Sequence, residues 1–118
     1  MIKRVKKPWG QYLTLFNDGE ICVKIIEVKP NQRLSLQFHQ NRTEFWIPLN
    51  DYCSFDIEGN KMLSMLDPVQ KTAHKILPYI KHRISAGRKK ARVLEVSIGK
   101  IDEEDIIRIE DDYGRNED

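Results

Sequence analysis

The chain has 118 residues, and its 20 basic against 18 acidic side chains leave a net charge of +2. A chain of this length is one domain able to bury about two thirds of its unfolded surface. The near-neutral balance, with no basic block interleaved by aromatics, argues against nucleic acid as a partner. No run of about 18 apolar residues exists to cross a membrane as a helix. Residues 1–7 (Met-Ile-Lys-Arg-Val-Lys-Lys) lack the apolar core of a signal peptide, so a cytoplasmic protein with no membrane partner is expected. Cys22 and Cys53 lack metal-type spacing and are expected to be reduced, buried thiols.

In chain order the sequence reads as short strands. Residues 11–16 alternate loosely and stop at Asn17-Asp18-Gly19, a strong turn signal. Residues 21–28 are β-branched and end at Pro30-Asn31. Residues 34–39 alternate again, 44–49 form the next strand, and 52–57 run through a Glu58-Gly59-Asn60 turn into 61–65. Residues 74–77, 83–85 and 92–99 complete a set whose turns fall every 8–12 residues, the spacing of a β-sandwich or barrel. Residues 102–118 form a C-terminal arm or helix in this reading. Glu103, Glu104 and Asp105 suit a helix start, and the last five residues fray.

The residues that carry chemistry are Gln37, His39, Glu44 and His82. On a strand, Gln37 and His39 share a face because side chains alternate with period two. Glu44 then comes from the paired strand or the turn, and His82 from a second hairpin. Two imidazoles, a carboxylate and an amide oxygen suit a borderline divalent ion with positions left for water or substrate. A Gln-x-His pair alone is more often the polar lining of a barrel than a ligand pair, and it is the addition of Glu44 and His82 that favours a metal. His74 has no partner motif and is expected at the surface. Trp9 and Trp46 serve either as packing or as a platform for a sugar face. Arg88-Lys89-Lys90 reads as a solvated turn.

Five ordered blocks carry a resemblance. Lys7-Pro8-Trp9-Gly10-Gln11-Tyr12 is similar to Arg-Pro-Trp-Gly-x-Tyr, and residues 30–39 to Pro-Gly-Gln-Arg-Leu-Ser-Leu-Gln-x-His. Arg42-Thr43-Glu44-Phe45-Trp46, Lys81-His82-Arg83 and residues 104–115 follow in the same order. Together they resemble the cupin-type (type II) mannose-6-phosphate isomerase family, found alone or as the C-terminal domain of bifunctional mannose-1-phosphate guanylyltransferases. The resemblance implies an all-β fold, a single cupin domain over residues 1–118 built as a double-stranded β-helix or jelly-roll barrel. It implies one divalent ion, zinc first and iron, manganese, cobalt or nickel as alternatives, held by Gln37, His39, Glu44 and His82. The implied reaction interconverts mannose 6-phosphate and fructose 6-phosphate. The alternatives are a related sugar phosphate or sugar nucleotide as substrate, or a sugar-binding cupin without catalysis.

On this reading Arg42 and Arg83 are the catalytic candidates beside the sugar. Lys24 or Arg33 is assigned to the phosphate, and Trp9, Tyr113 and Arg115 to substrate contacts. The expected partners are a phosphorylated sugar and a second copy of the chain in a two-fold homodimer. Two departures from the family stand out. Gln40-Asn41 replaces a His-His pair after His39, and Asn31 and Asp51 stand at turn positions that cupins usually give to glycine.

Overall fold

The computed structural model describes residues 2–63 and 72–115. All regular structure there is β. One six-stranded antiparallel sheet runs in the order β1 (Lys3–Lys7), β2 (Gly10–Asn17), β3 (Ile21–Val28), β10 (Ala91–Gly99), β5 (Arg42–Pro48) and β8 (His74–Ile76). A five-stranded sheet runs β11 (Ile107–Glu110), β4 (Leu36–Phe38), β9 (His82–Ala86), β6 (Cys53–Ile57) and β7 (Asn60–Leu63). Alternating burial along β3, β5 and β10 marks which side chains enter the barrel. The all-β barrel expected from the sequence is therefore present. No helix among the described residues is long and apolar enough to cross a membrane.

The registers arrange the inward side chains in rows, and the rows change character along the barrel. At one end Val28 pairs with Ala91, and Ile26 with Val93, which in turn pairs with Pro48. These residues join Phe55, Ile84 and Leu34 in the apolar core. The next row is Lys24, Glu95, Trp46 and His74, and the one beyond it Cys22, Ser97, Glu44 and Ile76. Apolar packing thus fills one end, and polar side chains enter toward the other. Trp46 sits at the boundary, with its ring 5.0 Å from that of Phe55. His74 is half-buried rather than on the surface, edge-on to Phe55 at 5.4 Å. Cys22 and Cys53 are free and buried.

Several boundaries differ from the sequence reading. β1 went unseen because four of its five residues are Lys or Arg, which gives no alternation. It is the edge strand of its sheet, where such charges are common. The strand expected over 34–39 is regular only at Leu36–Phe38. Residues 64 and 65 of the expected 61–65 strand, and 116–118 of the tail, lie outside the described residues. The tail forms no helix among its described residues: residues 107–110 pair with β4 as β11. Asn31 does take the left-handed conformation a turn requires (φ 60°), as does Tyr79 (φ 68°); Asp51 does not.

Gly99 closes the barrel next to the polar end. It pairs with Arg42 at φ +140°, and a Cβ there would lie 2.4 Å from the Asn41 carbonyl oxygen and 2.9 Å from the Arg42 Cα. Both are backbone atoms that cannot move cheaply. Gly99→Ala is expected to destabilise the protein by about 1–3 kcal/mol in urea titrations. Gly87→Ala, where the nearest atom is 3.8 Å away, should cost clearly less. Equal losses for the two would show that the close approach at Gly99 is not a constraint.

Candidate metal centre

His39, Glu44 and His82 converge. Their ligand atoms all lie within 4.8 Å of one another, and all three side chains are buried. The local fold explains the convergence. Glu44 enters from β5, and His82 from the start of β9. His39 follows β4, where its main chain is pinned because Tyr79 N–H donates to its carbonyl at 2.7 Å. Gln37 pairs directly with His82 in the β4–β9 register and lines the same cavity. His39 Nε2 lies 3.3 Å from Glu44 Oε2, and His82 Nε2 lies 3.4 Å from Oε1.

The proton positions follow from the partners. His82 Nδ1 is 2.8 Å from the Ile80 carbonyl oxygen, and His39 Nδ1 contacts that of Asp105. A carbonyl only accepts, so each Nδ1 must carry hydrogen. Arg42 Nη2 only donates, and it stands 3.1 Å from His39 Nε2, so that nitrogen presents a lone pair. Backbone carbonyls thus fix both rings in the orientation that metal-binding histidines need. Burial pushes His39 down to about 4, and it is neutral at pH 7. Burial also opposes ionisation of Glu44, but His82, His39 and Arg42 outweigh it and hold that carboxyl below the usual range. Glu44 Oε1 and His82 Nε2 are buried without a hydrogen-bond partner. Orphaned atoms of this kind are rare in folded proteins, and a divalent cation would satisfy both. Two imidazoles and a carboxylate, with an amide alongside, fit such an ion.

Of the other residues singled out in the sequence, Trp9, Lys24, Arg42 and Arg115 line this cavity, whereas Arg33, Arg83 and Tyr113 do not. Arg42 donates from Nε to Glu44 Oε2 at 3.0 Å. Lys24 is committed to Glu103 at 2.9 Å and lies over the Tyr12 ring. Arg83 alternates with His82 and projects to the other face of the sheet. There it donates to the Leu34 carbonyl at 2.9 Å and to the Glu110 side chain and main chain, so its role is to anchor β11. Arg33 makes a two-point pair with Asp112 at the surface. Tyr113 donates its hydroxyl hydrogen to Gln32. Trp9 is also core. Asn41 is exposed and does not line the cavity, so the departure from the family motif leaves the His–Glu–His cluster intact.

Glu95 was missed. It is buried, lines the cavity and accepts a hydrogen bond from Trp46 Nε1 at 3.1 Å. Burial, reinforced by the charge of Glu44, raises it to about 7. The available signal was a carboxylate at an inward position between Val93 and Ser97, in a strand whose other inward residues are uncharged. Asp102 and Asp105, in the stretch read as a helix start, also escaped notice as part of the site. Asp105 receives the Gln40 and Asn41 N–H groups at 2.8 and 3.0 Å, and the Asp102 carbonyl accepts from Arg42.

The chain matches the family described as mannose-6-phosphate isomerase, C-terminal, over residues 1–111. It is 37% identical to the alginate biosynthesis protein AlgA of Pseudomonas aeruginosa across 113 residues, which cover 94% of this chain and 23% of that protein. It is 33% identical to a mannose-1-phosphate guanylyltransferase of Salmonella montevideo, covering 97% and 24% respectively. The chain therefore spans about a quarter of the length of these relatives. Among solved structures, KdgF from Halomonas superposes with a TM-score of 0.71 at 14% identity, over 86% of this chain and 88% of that one. The Cnp3 cupin domain of Schizosaccharomyces pombe gives 0.63 at 8%, over 76% and 64%. Those low identities speak to fold alone, and the fold is the cupin barrel. The match over nearly the whole length, together with the sequence identities to AlgA and the guanylyltransferase, places this chain in the mannose-6-phosphate isomerase C-terminal family.

Proposed function

We propose that the protein is a metal-dependent aldose–ketose isomerase that interconverts mannose 6-phosphate and fructose 6-phosphate. The observation that carries this reading is the buried His39–Glu44–His82 cluster, with its two orphaned atoms, inside a cavity that also holds Arg42 and Glu95. Gln37, His39, Glu44 and His82 would hold the ion. Such an ion, when bound, supplies Lewis-acid polarisation of the sugar oxygens.

The chain's own residues supply the rest. Isomerisation removes a proton from C2 of the aldose and returns it at C1, while the carbonyl moves from C1 to C2. A carboxyl poised near neutrality suits that transfer, and Glu95 is such a group, held in place by Trp46. The Arg42 guanidinium is fixed by Glu44 and by the Asp102 carbonyl. It offers charge-assisted hydrogen bonds to the oxygen on which negative charge develops. Burial in the barrel excludes water from the reacting carbons.

The decisive measurement is entry of deuterium at C2 of mannose 6-phosphate in heavy water, with metal-replete protein. Wild type should exchange and form fructose 6-phosphate. His82→Ala should lose metal and activity together. Arg42→Ala should keep the metal and lose at least about tenfold in rate, roughly 1.4 kcal/mol of transition-state stabilisation. Replete wild type that binds the sugar phosphate yet neither exchanges nor turns over would eliminate the isomerase.

Glu95 gives an independent test that needs no substrate. Its folded-state value of about 7 lies above the ordinary 4.5. A raised carboxyl stabilises the fold while protonated, and that contribution is lost as pH climbs through the folded value. In metal-free protein, the stability of wild type relative to Glu95→Gln should be greatest below pH 4.5, decline between pH 4.5 and 7, and level off above that. Urea titrations of both proteins across that range measure the difference. A gap that does not vary with pH would show that folding leaves the Glu95 carboxyl unshifted, and would remove it as the proton carrier.

A further inference from the structure

Besides Lys24 and Arg42, three cationic side chains line the cavity: Lys7 at the end of β1, Arg108 on β11 and Arg115 beyond it. We propose that Lys7, Arg108 and Arg115 form an anion subsite that takes the phosphate monoester of the substrate. This assignment rests on the reading of the substrate as a phosphorylated sugar, and it moves the phosphate away from the two cations that the sequence suggested.

Those two are otherwise engaged. The Lys24 ammonium donates to Glu103 at 2.9 Å and faces Glu95 across the β3–β10 ladder. The Arg33 fork is filled by Asp112, outside the cavity. The proposed trio lines the cavity itself. Its members come from separate segments and all are half-buried. Lys7 is held below the usual lysine range by burial, then by the charges of Arg115 and Arg108, with Glu103 only partly offsetting them. Cations that crowd and partly desolvate one another are costly in isolation, and a dianion among them relieves that cost. Asp111 takes Nε and Nη2 of Arg115, which leaves Nη1 outside that pair. The whole lining points the same way. The lining brings Lys7, Lys24, Arg42, Arg108 and Arg115 together with the carboxyls of Glu44, Glu95 and Glu103, and a divalent ion adds further positive charge.

Position supports the assignment as well. Arg108 pairs with Gln37 across the β11–β4 ladder, so their side-chain origins are about 5 Å apart. The subsite therefore adjoins the metal centre. One extended sugar phosphate can present its carbonyl end to the ion and its phosphate to the trio. Guanidinium forks match phosphate geometry and an ammonium adds a point charge.

The test is calorimetric titration of protein freed of metal by chelation, with inorganic phosphate, mannose 6-phosphate and mannose as probes. Wild type should bind phosphate and mannose 6-phosphate, and should bind mannose at least about tenfold more weakly than mannose 6-phosphate, a difference of roughly 1.4 kcal/mol. Lys7→Gln, Arg108→Gln and Arg115→Gln should each weaken both phosphorylated probes about tenfold or more. Each variant should take up metal as wild type does when reconstituted. Lys61→Gln, which removes an exposed lysine on β7, should change neither property. If Arg115→Gln fails to fold because Asp111 loses its partner, Lys7→Gln on the edge strand still decides the matter. Wild type that ignores inorganic phosphate, or trio variants that bind it undiminished, would overturn the subsite. Because binding is read without turnover, an absence of exchange at C2 would sink the isomerase and leave this result standing.

Discussion

Glu44 is 1% exposed, and it is ionised in the barrel interior. A lone buried carboxylate costs several kcal/mol, and the polar end of this molecule is organised around meeting that cost. Arg42 supplies one direct ion pair. His39 and His82 approach its two oxygens, each with its far nitrogen tied to a backbone carbonyl. Those carbonyls belong to irregular segments, around Ile80 and Asp105, so the conformation of two loops is coupled to one charge. The contacts still leave one carboxylate oxygen and one imidazole nitrogen unsatisfied. That residual deficit is the physical content of a metal site.

The row structure of the six-stranded sheet keeps this charge compatible with a stable fold. Val28, Ala91 and Val93 are fully buried at the apolar end. The Lys24–Glu95–Trp46 row then separates apolar packing from the site. Trp46 belongs to both sides: its ring packs on Phe55, while its indole N–H holds Glu95. A protonatable carboxyl is thereby fixed by a residue of the hydrophobic core.

Much of this was legible in the sequence, and the reasons differ by element. Turns every 8–12 residues, with a β-branched run over 21–28, reported a sandwich or barrel because short strands that share one core must turn back at that interval. Gln37, His39, Glu44 and His82 were legible because their residue types are costly inside a barrel unless they coordinate something. Arg83 was placed beside the sugar, but period two sends it to the face opposite His82. Arg115 was legible only through the resemblance of the closing segment, and Glu95, Lys7 and Arg108 depend on strand register and on where residues 100–115 return. No local pattern encodes either. β11 was obscured for a related reason. Acidic residues at 103–105 imitate a helix start, whereas Asp105 in fact receives backbone N–H groups from the turn at Gln40 and Asn41.

Besides the β11–β4 ladder, three ion pairs tie the segment after β10 to the barrel: Lys24 with Glu103, Arg83 with Glu110, and Arg33 with Asp112. In each pair the acidic partner is substantially open to solvent, at 58%, 63% and 42%. Such pairs weaken as salt shortens the Debye length from about 10 Å at 0.1 M to about 3 Å at 1 M. Apolar packing at the other end of the barrel has no such sensitivity. Ionic strength therefore acts on the two ends differently: concentrated salt weakens these three pairs beside the cavity, while the β11–β4 ladder and the apolar end are not held by exposed charge.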